Sequence, residues 1–112
     1  MSDASADFFE ELGRRGHEPL LGRTTGTLRF ELVNGGRRER WFITLDRGDV
    51  AVSRKAGRAD CVVRATKELF DDVASGRVNA MAALLRGELV AEGNPNLLVR
   101  VQRLFPSPPA GQ

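Results

Sequence analysis

The chain opens on a helical hydrophobic spacing and then changes period. Phe8, Phe9 and Leu12 fall at i, i+1 and i+4, with Asp7, Glu10 and Glu11 opposite, which predicts an amphipathic helix over residues 3–16. Arg14 and Arg15 suit the negative end of its dipole, and Gly16 is a stop signal. After a loop holding Pro19 and Gly22 the period becomes two. Leu28, Phe30 and Leu32 alternate with Thr27, Arg29 and Glu31, as in a strand with one buried and one wet face. Asn34-Gly35-Gly36 is a turn signal, and a second alternating run points Trp41, Ile43 and Leu45 inward and Arg40, Phe42 and Thr44 outward. Another turn at residues 46–49 leads to a third strand at 50–53, completing an antiparallel meander; residues 61–65 form a fourth strand.

Helical spacing then returns. Thr66 caps a helix with Leu69, Phe70, Val73 and Ala74 on its apolar side, closed by Gly76. Asn79 caps a short helix over 80–86, ended by Gly87; its residues 80–85 are apolar all round, so this segment is expected to be buried on every side or to line a cavity. Residues 88–92 read as a fifth strand. Asn94 caps a last helix with Pro95 at its first position, and Leu97, Leu98, Val101, Leu104 and Phe105 form its stripe as far as Pro106. Residues 107–112 are expected to be a disordered Pro-rich tail after a single domain over 1–106. Strands with one apolar face need helices on that face, so the fold class is two-layer α+β.

Composition agrees with one folded domain. The chain has 112 residues, is 41% hydrophobic and carries a formal charge of +2, and no apolar run approaches the roughly 20 residues of a membrane span. Met1 to Ala6 carry no basic segment followed by an apolar one, so no secretory signal is expected. A lone cysteine, Cys61, suits a reducing compartment, and a cytoplasmic location is expected.

Catalytic chemistry is sparse. His17 is the only histidine and sits in a loop, where it reads as a surface residue; Cys61 falls inward on a strand, as a small buried thiol does. Gly22 to Gly26 lacks the spacing of a phosphate loop. Asp71 and Asp72 point about 100° apart on a helix and read as a solvated face. Arg47-Gly48-Asp49 is accounted for by its turn. No catalytic residue, metal or cofactor is expected. Residues 23–58 hold nine basic against four acidic side chains, yet Phe42 is the sole aromatic on the outer sheet face, too few for base stacking, so nucleic acid is not an expected partner.

The residues that remain carry a resemblance. Ala59-Asp60-Cys61 leads into a strand, Leu69 lies in a helix ending at Gly76, and Asn79 opens a helix. Gly87-Glu88-Leu89 starts a strand, and Gly93-Asn94 precedes the last helix. This order, over residues 8–105, resembles the sterol carrier protein 2 family of lipid-binding domains. The resemblance implies a five-stranded, mostly antiparallel mixed sheet covered on one face by helices, with an apolar tunnel between the layers. It implies a non-enzymatic carrier of a fatty acyl, isoprenoid or sterol-like ligand; a free-standing module without a terminal Ser-Lys-Leu address favours a straight chain or an isoprenoid over a sterol. From apolar pattern and position, the expected lining is Phe9, Leu12, Phe30, Trp41, Ile43, Phe70, Met81, Leu84, Leu85, Leu97, Leu98, Val101 and Phe105. The last helix is expected to act as a lid, and Arg86, Arg100 and Arg103 to meet an anionic head group. The competing expectation is a module of the same fold with a closed core, docking on a lipid- or quinone-pathway enzyme. Transient contact with a membrane surface fits the carrier, and a monomer or weak dimer is expected.

Overall fold

A computed structural model describes residues 3–55 and 57–106; the expected tail at 107–112 lies outside them. In chain order the elements are α1 (Ala4–Arg15), a 3-10 turn (Pro19–Leu21), β1 (Thr25–Asn34), β2 (Arg37–Asp46), β3 (Asp49–Ser53), β4 (Cys61–Thr66), α2 (Lys67–Ala74), α3 (Ala80–Leu85), β5 (Val90–Gly93), α4 (Pro95–Val101) and a closing 3-10 turn (Gln102–Leu104). Strand order is β3-β2-β1-β4-β5, with β1 and β4 parallel and every other pair antiparallel. The two hairpins place β1, β2 and β3 side by side. β4 then returns to the free edge of β1, which makes the sheet mixed.

The caps form where short polar side chains precede each apolar stripe. Side-chain oxygens of Asp3, Thr66, Asn79 and Asn94 accept from the backbone N–H groups of Ala6, Leu69, Ala82 and Asn96. The inner sheet face, with Leu28, Phe30, Leu32, Ile43, Leu45 and Val63, packs against Phe9 and Leu12 of α1, Phe70 and Val73 of α2, and Leu97, Leu98 and Val101 of α4. At its centre the Phe9 ring stacks on Phe70 at 5.4 Å and on Trp41 at 4.7 Å, and meets Phe30 edge-on at 5.3 Å.

Three expectations change. The last helix ends at Val101 and tightens into a 3-10 turn through Leu104, because the chain must stop before Pro106. The fifth strand pairs only from Val90, although Leu89 before it is already buried. The segment 80–85 is neither buried all round nor enclosed: Ala80 and Ala83 touch the core, Met81 and Leu84 are half-buried, and Leu85 is 85% exposed. Two small residues three apart seat so short a helix on the core, leaving most of its circumference outside.

The outer sheet face is less wet than alternation implies. Glu31 is only 3% exposed, flanked in register by Arg40 on β2 and Arg64 on β4. Arg64 Nε donates to its Oε1 at 3.0 Å, while Arg29 Nε and Arg40 Nε lie 3.0 and 3.4 Å from Oε2; Arg64 also pairs with Glu92. Phe42, beside Arg29 in register, is 5% exposed, so the one outer aromatic is not presented for stacking. Long arginine stems cover the face that helices leave open.

Burial by itself would raise the Glu31 pKa, but the Arg64 hydrogen bond and the charges of Arg29, Arg64 and Arg40 outweigh it and hold the carboxyl below its ordinary value. A folded-state value below the unfolded one stabilises the protein above the ordinary carboxylate range, and that contribution is lost as pH falls. Glu31→Gln is therefore expected to cost about 2 kcal/mol near neutrality, since charged hydrogen bonds are lost from a buried site. The gap from wild type should shrink between about pH 5 and about pH 3. Urea denaturation at both ends of that range measures it; a gap independent of pH would show that the arginines do not act through the Glu31 charge.

Candidate functional site: two clefts beside the first helix

α1 divides its side chains by helical spacing between two open clefts. On one side Ala4, Asp7, Phe8, Glu11, Leu12 and Arg15 face Ala74 at the end of α2 and Leu104 and Pro106 across a cleft of about 340 Å³. On the other side Phe9, Glu10, Gly13 and Arg14 face Trp41, the strand β3 and Arg54 across about 710 Å³. Phe8 and Leu12 border the smaller volume and Phe9 the larger.

Polar contacts pin α1 at both ends. Near its start Asp71 accepts from Ser5 N–H at 3.1 Å and from the Ser5 hydroxyl at 2.6 Å, and Lys67 Nζ lies 2.8 Å from both Asp3 and Asp71. Burial would raise the Asp71 pKa, but Lys67 and Ser5 overcome it and lower the value; Asp3 is lowered chiefly by the Ala6 N–H and then by Lys67. Past its end the Gly16 carbonyl accepts from Val50 N–H at 2.9 Å, and His17 Nδ1 lies 2.8 Å from Asp49 Oδ1. Between these anchors only ring stacking and aliphatic contact hold the helix to the sheet.

The expected lining residues divide in the same way. Phe9 and Trp41 line the larger cleft and Leu12 the smaller. Phe30, Ile43, Phe70, Leu97, Leu98, Val101 and Phe105 join them in the packed core, while Leu84 flanks it, Met81 is half-buried and Leu85 faces solvent. None of the three expected head-group arginines lines either cleft. Arg86 is paired with Glu88 at 2.7 Å, Arg100 borders a third cleft of about 340 Å³ formed with residues 20–24, and Arg103 is exposed. The cleft-side residues Gly13, Arg14 and Arg54 escaped the sequence reading. Arg14 carried only its dipole signal, and Arg54 follows a strand in a polar stretch, where no periodic pattern marks what it covers. His17 is exposed and Cys61 fully buried, with burial raising the thiol pKa.

Solved structures share this fold. The sterol carrier protein domain 2 of Helicoverpa armigera is 21% identical with a TM-score of 0.72, covering 90% of this chain and 84% of its own. Sterol Carrier Protein-2 from Aedes aegypti, in complex with the C16 fatty acid palmitate, is 17% identical with a TM-score of 0.70, covering 92% of this chain and 94% of its own. A sec-alkylsulfatase from Pseudomonas sp. contains a similar unit, 22% identical with a TM-score of 0.68, covering 89% of this chain but 16% of the enzyme. No curated protein sequence matches the chain. The model of the SCP-2 sterol transfer family matches residues 9–106, nearly the whole described domain, and the chain belongs to that family.

Proposed function

We propose that this domain is a non-enzymatic lipid carrier whose ligand lies beneath α1, joining the two clefts. One observation supports this reading above the others: α1 is anchored at its ends by polar contacts, while its middle, between two open volumes, rests on apolar side chains. Outward displacement of that middle turn converts the clefts into a passage floored by Phe30, Ile43 and Phe70. The flanking core residues Leu97, Leu98, Val101 and Phe105 complete its wall. Clefts of 340 and 710 Å³ fall in the range of small-molecule sites, about 300–1,000 Å³. Burying about twelve methylenes gives roughly 10 kcal/mol gross, enough to offset separated ring contacts and the cost of ordering the chain. A straight acyl chain fits such a passage, and the palmitate complex of the Aedes aegypti protein is in keeping with that ligand class.

Native mass spectrometry of freshly purified protein, with organic extraction of the same sample, is expected to reveal acyl or prenyl lipid at one per chain. Hexadecanoate added to delipidated protein should bind in the same ratio. Absence of both co-purifying lipid and hexadecanoate binding would overturn the carrier reading.

A further inference from the structure

The larger cleft has three features that an apolar passage does not require. Trp41 on its floor is 6% exposed, yet its indole Nε1–H is buried without a hydrogen-bond partner, whereas buried donors are nearly always paired. Above the same indole lies the Arg54 guanidinium, 4.2 Å from the ring centroid and tethered by Nε donation to the Arg40 carbonyl at 2.8 Å. The facing wall on α1 carries Arg14, already paired with Glu11 at 2.5 Å, with Glu10 the acid beside it, so Arg54 is the cation left to a ligand there. Gly13 stands between Glu10 and Arg14 within the helix, where alanine is the better helix former. A Cβ there would meet Val52 at 3.4 Å, an ordinary van der Waals contact, so α1 and β3 come close at this point of the cleft.

We propose that this cleft is the head-group end of the lipid site and takes the carboxylate of a single-chain lipid. One carboxylate oxygen accepts from Trp41 Nε1–H and the other from Arg54, while the chain runs past Val50 and Val52 beneath α1. The indole holds the guanidinium over the cleft by cation–π attraction, so the charge is in place before the ligand arrives. The donor left over in the empty protein is satisfied when the acid binds. This inference rests on the carrier reading and assigns the polarity of the ligand within it.

Trp41 is the only tryptophan and the chain has no tyrosine, so intrinsic fluorescence reports this one place. Quenching by 2-bromohexadecanoate, brominated beside the carboxylate, is expected to exceed quenching by 16-bromohexadecanoate, brominated at the chain end. Arg54→Gln, a change at an exposed side chain, should weaken hexadecanoate binding about tenfold, the loss typical of one charge-assisted hydrogen bond. Trp41→Phe, read by native mass spectrometry, should weaken it about fivefold as a neutral donor is lost, and neither change should alter binding of hexadecanol to the same degree. Stronger quenching by the chain-end bromine, or wild-type hexadecanoate affinity in Arg54→Gln, overturns the assignment while leaving the carrier reading intact. Displacement of hexadecanoate by equimolar acetate would show a small-anion site and overturns it too. Failure of the wild type to bind either lipid by native mass spectrometry removes both readings.

Discussion

Phe9→Ala is expected to lower stability by about 4 kcal/mol, in the range measured when a buried phenylalanine is truncated. The ring is fully buried and touches Trp41, Phe70, Phe30 and Phe8, so its removal takes one aromatic contact from each of these four rings. It also lines the larger cleft, so its truncation enlarges that volume. Phe8, half-buried on the rim of the smaller cleft, should lose no more than about half as much on the same truncation. Urea denaturation followed by Trp41 fluorescence measures both. Adding hexadecanoate should restore part of the loss in Phe9→Ala, because the guest fills the vacated space and binding to the folded state adds stability by mass action. A loss under about 1 kcal/mol would mean that the region beneath α1 is not close-packed in solution.

Gly93→Ala is the second large effect, at about 3 kcal/mol. Gly93 joins β5 to α4 with φ of +95°, and a Cβ at that position would collide with the Asp60 backbone carbonyl. The same carbonyl accepts from Asn94 N–H at 2.9 Å, which sets the start of α4. Neither group can retreat without breaking the pairing of Cys61 with Gly93 at the sheet edge. Gly87, with φ of +78° but open space around it, supplies the control: alanine there should cost only the conformational penalty, about 1–2 kcal/mol. Thermal unfolding of the two variants separates collision from backbone strain; equal losses would show that the joint at Gly93 yields. A displaced α4 should also reduce hexadecanoate binding, since Leu97, Leu98 and Val101 form part of the proposed wall.

Much of the architecture is legible along the chain because its causes are local. Alternation in 28–32 and 41–45 places Leu28, Phe30, Leu32, Trp41, Ile43 and Leu45 inward, and each is buried. Thr66, Asn79 and Asn94 cap helices through side-chain contacts two or three residues away. The failures have an equally clear source. Glu31 reads as a wet residue on β1, but arginines enclose it from both neighbouring strands, and the return of β4 to the edge of β1, which brings Arg64, is invisible to an alternation pattern. Residues 80–85 are uniformly apolar, so periodicity offers no face to choose, and Leu85 faces water.

The candidate site was less legible than the fold. Trp41 and Phe9 were marked as inward-facing apolar residues, but nothing near Trp41 in the chain foretells that its N–H lacks a partner or that Arg54 covers its ring. Helix and strand periods, caps and turns, and which strand faces turn inward are settled within a few residues, where spacing and backbone preference act directly. The open space on each side of α1, the arginine cage around Glu31 and the placing of cations over the larger cleft arise when segments distant in the chain meet. Charge, volume and hydrogen-bond satisfaction at those places are properties of three-dimensional packing, and only the folded arrangement sets them.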